Sequence, residues 1–216
     1  KPYVNLGFLY YEKIALGDQG DLKLLDESYN KALNNFQLAD LRLAKFAELP
    51  KDFDITRFYY YYGWLRYKEN RLQDALELWN KVYINNPFHP VFSFAIGNAF
   101  LHLGKDDLAI PEYQKNIMYY DQLAKKIPEI NPANNRHRAI IQGLSFNYNN
   151  IGVAFLHKAE RTGDPDWERQ ALQSFYRARE LGDKLNLGKD GDNDFFWHNI
   201  NVILKPERKL VPAIAP

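Results

Sequence analysis

One spacing constrains this chain more than any other feature. Gly63 and Gly97 stand 34 residues apart, and each is followed twelve residues later by an alanine, Ala75 and Ala109. Four residues after each alanine comes a large aromatic, Trp79 and Tyr113. A bulky side chain, Tyr62 or Ile96, precedes each glycine. Offsets of four and seven put Ala75, Trp79 and Val82 on one helical stripe. A two-helix unit cannot bury such a stripe alone, so units of this period must stack on neighbours.

Two further copies emerge once insertions are allowed. Val4 to Tyr10, around Gly7, reads as a first helix, and Leu25, Tyr29 and Ala32 match a second helix after a longer turn. Tyr148 to Phe155, around Gly152, reads as another first helix, followed by Ala171, Phe175 and Ala178 at the right mutual spacing. Gly7 to Gly63 is 56 residues and Gly97 to Gly152 is 55, so both intervals exceed the period. In the first, apolar residues run on through Leu41, Leu43, Phe46 and Leu49, which predicts an over-long second helix. In the second they continue through Leu123 and Ile127 until Pro128 and the Asn131–Asn135 stretch break them. A long first helix is then expected from about Arg136.

This pattern resembles the tetratricopeptide repeat, a helix–turn–helix unit of 34 residues. The resemblance implies an all-α fold, a right-handed stack of hairpins forming an α-solenoid. Its units are expected at about residues 2–49, 56–89, 90–130 and 136–182, with a partial first helix at 194–204. Residues 205–216, with Pro206, Pro212 and Pro216, are expected to be an extended tail. Leu210, Val211 and Ile214 give that tail the means to dock on an apolar surface of its own chain.

Composition narrows the functional classes. Lys plus Arg is 28 and Asp plus Glu is 27, a net charge of +1. That balance argues against binding nucleic acid by phosphate neutralisation. No apolar run approaches the roughly 18 residues of a membrane span. Cysteine is absent, which excludes disulfides, thiol nucleophiles and Cys-ligated metals, and is compatible with cytoplasm and periplasm alike. The abundance of Lys, Asn and Tyr points to a low-GC bacterium. The five histidines, His89, His102, His137, His157 and His198, fall in no metal-binding spacing. No glycine-rich phosphate loop and no nucleophile elbow occurs. The expectation is a chain without enzymatic activity, cofactor or metal.

Two local motifs carry alternatives. Asp190, Asp192 and Asp194 alternate like the opening of a calcium loop, but Phe195 and Asn201 stand where glycine and glutamate are needed. A solvated turn is the expected reading. Arg136-His137-Arg138 at a helix start can hold an anion or simply face solvent.

The resemblance also implies that first helices line a concave groove. Carried over, the groove positions include Phe8 and Tyr11, then Arg57, Tyr60, Trp64, Tyr67 and Lys68, then Val91, Phe94, Asn98, Leu101 and His102. Phe146, Asn149, Val153, Leu156 and His157 complete them. The carboxylate clamp of chaperone-tail-binding members is not expected, because Phe94 and Val4 stand where lysines are required, although Asn98 and Asn150 match. The candidate partner-binding set is Tyr60, Trp64, Tyr67, Phe94, Asn98, Phe146 and Asn149, with aromatics burying apolar side chains and amides bonding a peptide or helix end. The same aromatics can instead pack against the chain's own core. The implied function is a protein–protein interaction module, a scaffold or adaptor, for a partner peptide or helix. The alternative is an assembly subunit of a bacterial envelope or flagellar-type machine, using its convex face and long helices, with the groove filled by its own segment.

Overall fold

A computed structural model describes residues 2–15, 22–45, 53–185, 187, 199–201 and 203, with backbone alone at 12–15 and 22–25. Among these residues all regular structure is helical. The helices are α1 (Pro2–Ala15), α2 (Leu22–Leu43), α3 (Ile55–Lys68), α4 (Leu72–Tyr83), α5 (Pro90–His102), α6 (Asp106–Ala124), α7 (Asn135–Thr162) and α8 (Pro165–Asp183). Residues 199–201 and 203 are helical too. The chain divides into two compact units, Lys1–Asn86 with α1 to α4 and Pro87–Ala215 with α5 to α8. Consecutive helices pair as hairpins, α1 with α2, α3 with α4, α5 with α6, and α7 with α8.

The helix boundaries follow from local chemistry. Asp54 caps α3, its carboxylate accepting from the Arg57 N–H at 2.9 Å. The α7–α8 turn ends one helix on Gly163, at φ 69°, and opens the next with Asp164 as cap and Pro165 in the first turn. The Asn131–Asn134 break ends in a cap as well, Asn134 accepting from the N–H groups of Arg136 and His137.

Inside each hairpin one contact recurs. A Cβ added to Gly7 would lie 2.5 Å from the Phe36 ring, at Gly97 2.8 Å from Tyr113, and at Gly152 2.7 Å from Phe175. At Gly63 the Trp79 indole is closer still. Phe36, Trp79, Tyr113 and Phe175 are all fully buried. The glycine therefore lets an aromatic of the second helix lie directly on the backbone of the first. The alanine four residues before each ring, Ala32, Ala75, Ala109 or Ala171, is fully buried as well.

The first hairpin departs from the sequence reading. Leu25, Tyr29 and Ala32 were the expected contact triplet; the structure instead uses Ala32, Phe36 and Ala39. The register lies seven residues later, two helical turns along the same stripe, so a period-based match cannot separate the two. The atoms nearest a Cβ added at Gly7 all belong to the Phe36 ring. Tyr29 is left half-buried and donates its hydroxyl to the Leu65 carbonyl on α3.

The lengthened helices of the second unit build a satellite core. Ile141, Leu144, Leu181 and Leu185 form it, with Tyr120, Ile130 and Tyr148 packed against it. Here Gly143 on α7 repeats the device between hairpins, its missing Cβ leaving room for the Tyr120 ring at 2.7 Å. The expected partial helix at 194–204 is represented by residues 199–201 and 203. The rest of that segment, the tail 205–216 and the Asp190–Asp194 motif lie outside the described residues.

Gly97→Val would drive a β-branched side chain into Tyr113. A loss of about 1–3 kcal/mol is expected from such overpacking, read as a lower urea midpoint. Tyr176→Ser, at a side chain 47% exposed, should shift stability by no more than about 0.5 kcal/mol.

Candidate functional site

In the first unit the rings join into a continuous band. Phe36 meets Phe8 edge to face at 5.4 Å, Phe8 meets Tyr61 at 5.6 Å, and Tyr61 meets Tyr60 at 5.3 Å. Tyr60 meets Trp64 at 6.2 Å, and Trp64 meets Tyr67 at 5.0 Å and Trp79 at 5.3 Å. Edge-to-face pairs of this kind add to the burial of each ring. The run Phe58 to Tyr62 supplies five consecutive aromatics. On a helix they fan out, so Phe58, Tyr59 and Tyr62 face inward while Tyr60 and Tyr61 stay half-exposed. Trp79 Nε1 donates to the Tyr60 carbonyl at 3.1 Å, which ties α4 to the band.

Trp64 is 1% exposed and Tyr67 9% exposed. They therefore form the inner side of the band, with Tyr60 toward its outer side. Arg57, exposed, lays its guanidinium 4.5 Å from the Phe8 ring centre and 5.7 Å from that of Tyr61. The accessible edge of the band is thus Phe8, Tyr60 and Tyr61 with a cation over it. Of these, Tyr60 belongs to the candidate set, and Phe8 and Arg57 to the wider groove list. Tyr61 was missed, because it falls between groove positions of the repeat.

Burial controls the tyrosine hydroxyls of this unit. It pushes Tyr67 up to about 12. It also raises Tyr11, Tyr29 and Tyr60, and it raises Tyr59, whose hydroxyl in addition donates to Asp40 at 2.8 Å. Each folded value lies above the unfolded one, near 10. The stability tied to these neutral hydroxyls is therefore complete below pH 10 and is lost as pH rises through the folded values. Tyr67→Phe is expected to flatten the fall in stability between pH 10 and 12 by about 1.4 kcal/mol per pH unit. Urea midpoints across that range, with ultraviolet absorbance reporting tyrosinate, provide the check.

The second unit places its candidates in a buried amide relay. Asn199 Nδ2 donates to Asn149 Oδ1 at 2.8 Å, and Asn149 Nδ2 donates to Asn150 Oδ1 at 3.0 Å. Asn150 Nδ2 donates to Asn98 Oδ1 at 2.8 Å, and Tyr113 Oη donates to the same oxygen at 2.8 Å. All five side chains are at most 3% exposed. Bonds that share donors and acceptors in one direction polarise each other in a water-poor interior. Phe94, 9% exposed, belongs to the apolar cluster beside the relay, and half-buried Phe146 packs on that cluster. Asn98 and Asn149 are thus joined through Asn150, Phe94 shares an apolar cluster with Ile200, and Asn149 accepts from Asn199 of its own chain. Asn150 and Asn199 were not in the candidate set. Their signal was present, because Asn199-Ile200 repeats Asn150-Ile151.

Asn98→Leu would remove the acceptor of two buried donors. Each unmatched group costs about 1–3 kcal/mol, so a total loss of about 2–5 kcal/mol is expected. Adding Tyr113→Phe should recover part of it, because the orphaned hydroxyl is then gone. A double-mutant cycle in urea measures that coupling; strict additivity would contradict the bond.

Charged groups where α6 meets α7 are engaged structurally. Asp106, 2% exposed, accepts from Arg161 at 3.0 Å and pairs with His157 Nδ1 at 3.0 Å. Asp107 pairs with Lys158 at 2.6 Å, and that ammonium lies 4.1 Å from the Trp167 ring centre. These contacts fasten the start of α6 to the end of α7. At Arg136-His137-Arg138 the Asn134 cap takes the backbone N–H groups that an anion would use, and both arginines are exposed. No described helix is long and apolar enough to cross a membrane.

The chain matches no protein-family model and no curated protein sequence.

Proposed function

We propose that this chain is a non-enzymatic protein-interaction module of the tetratricopeptide kind, and that its first unit holds an apolar, acid-bearing segment of a protein partner. The observation that carries the reading is the accessible edge of the aromatic band, Phe8, Tyr60 and Tyr61 beneath the Arg57 guanidinium. Aromatic and arginine side chains dominate the binding energy of protein interfaces. The rings supply apolar area at low entropic cost because they are already held by Trp64 and Phe36. The arginine selects a carboxylate near the apolar residues, as a charge-assisted bond favours. Hairpins joined by a glycine–aromatic contact at the repeat spacing support the tetratricopeptide assignment. The fold by itself does not name the function; the band edge motivates it.

A second reading rests on a different face. Asn34, Gln37, Leu38 and Leu41 form a stripe at helical spacing on α2. Leu38 is 45% and Leu41 67% exposed, and both line an open groove of about 670 Å³ together with Tyr62. An assembly subunit would use such a stripe on a long helix.

Photo-crosslinking separates the two. A benzoyl-phenylalanine at position 61 is expected to capture one partner at an acidic, apolar segment, and Arg57→Ala with Tyr60→Ala should weaken binding of that segment at least tenfold, about 1.4 kcal/mol. Capture only from position 41, with unchanged affinity in the double variant, would overturn the band reading in favour of the α2 face.

A further inference from the structure

Two asparagines of the second unit stand outside the amide relay. Asn116 on α6 and Asn147 on α7 are each 1% exposed. Asn147 Nδ2 donates to the Gly143 carbonyl at 2.7 Å, one turn back on its own helix. Its Oδ1 and both amide atoms of Asn116 are shut off from solvent, and none has a hydrogen-bond partner among the described residues. A native interior rarely leaves polar atoms in that state.

Two contacts fix how α6 runs against α7. Near the start of α6, Asp106 pairs with His157 and Arg161. Farther along α6, the Tyr120 ring lies where a Gly143 Cβ would be. The helices are therefore antiparallel, and one turn back from Tyr120 is level with one turn on from Gly143. Those two steps reach Asn116 and Asn147, on the same faces as the contact that sets the register. Above and below them the interface is apolar. Tyr113 and Ile151 belong to the main cluster, and Leu144 and Tyr120 to the satellite core. The repeat shows what is unusual at this level. Five residues before the helix glycine stand Phe58, ahead of Gly63, and Phe92, ahead of Gly97, both fully buried. Ahead of Gly152 that place is taken by Asn147, a smaller side chain with an unmatched acceptor.

The unmatched set is one amide donor group and two carbonyl acceptors, so a cation and an anion would each oppose part of it. A neutral molecule that both donates and accepts matches it, and a site closed to solvent holds only a small one. We propose that internal water occupies the seam between α6 and α7, accepting from Asn116 Nδ2 and donating to Asn147 Oδ1, with Asn116 Oδ1 open to a second molecule. Bridging water satisfies buried amides nearly as well as a direct bond. The bridge joins the α5–α6 hairpin to the α7–α8 hairpin at one register, because a slide of either helix parts the two amides. It lies in the interior of the second unit and is independent of the aromatic band.

Two measurements on the full chain test it. In water-selective NMR of the wild type, the side-chain N–H protons of Asn116 are expected to show cross-peaks to water whose NOE and ROE have opposite signs. That pattern marks a water held longer than the protein takes to tumble. Missing cross-peaks would overturn the proposal, as would equal signs, which report plain proton exchange. Second, urea unfolding is compared for Asn116→Leu, Asn147→Leu and the double variant. Asn116→Leu is expected to raise the unfolded-to-folded ratio at least tenfold, because Asn147 Oδ1 loses its bridge. Adding Asn147→Leu should lower that ratio at least threefold, since no unmatched atom of the bridge then remains. Single-variant effects that simply multiply in the double variant would overturn a water shared by the two amides.

Discussion

The packing of a side-chain ring onto a bare stretch of helix backbone is the contact on which both units depend. Each hairpin brings its two helices close enough for Phe36, Trp79, Tyr113 or Phe175 to lie where a glycine Cβ would be. Alanines one turn before each ring keep the helices close. A methyl group on any of these glycines forces a buried aromatic to move, and a close-packed interior has nowhere to put it.

Around that common joint the units diverge in chemistry. In the first, the ring is one of a band of aromatics that reaches the surface at Phe8, Tyr60 and Tyr61, so its inner members Trp64 and Tyr67 support the outer ones. In the second, Tyr113 ends a line of amides, its hydroxyl donating to Asn98 while the far end takes Asn199. One unit therefore has a polarisable apolar edge with a cation, whereas the other has committed its buried amides to its own chain. The same repeat position supplies Trp64 in one unit and Asn98 in the other, and that exchange of an indole for an amide separates the two behaviours.

Local chemistry made much of the fold legible. The 34-residue interval, the glycine–alanine–aromatic order and the proline and asparagine breaks placed the central hairpins and the long α6 and α7. The first hairpin was misread by two turns because Ala32 lies on a stripe with Tyr29 as readily as with Phe36, and only the approach of Gly7 distinguishes them. The site was less legible. Repeat positions placed Tyr60, Trp64 and Asn149 in an expected groove but carried no information on depth. Tyr61 lay outside the pattern although its ring bridges Phe8 and Tyr60.

By itself, then, the sequence determined that this chain forms helical hairpins, and where most of them begin and end. Those properties reside in helical periodicity, capping residues and backbone sterics, all within a few residues of one another. Only the tertiary structure decided which side chains of those hairpins stay exposed and which are covered by their own chain. Burial is a property of what packs on top, and the segment that covers Asn149 enters from 50 residues away. A repeat motif specifies the direction of a side chain; the neighbouring surface decides whether that direction leads to solvent.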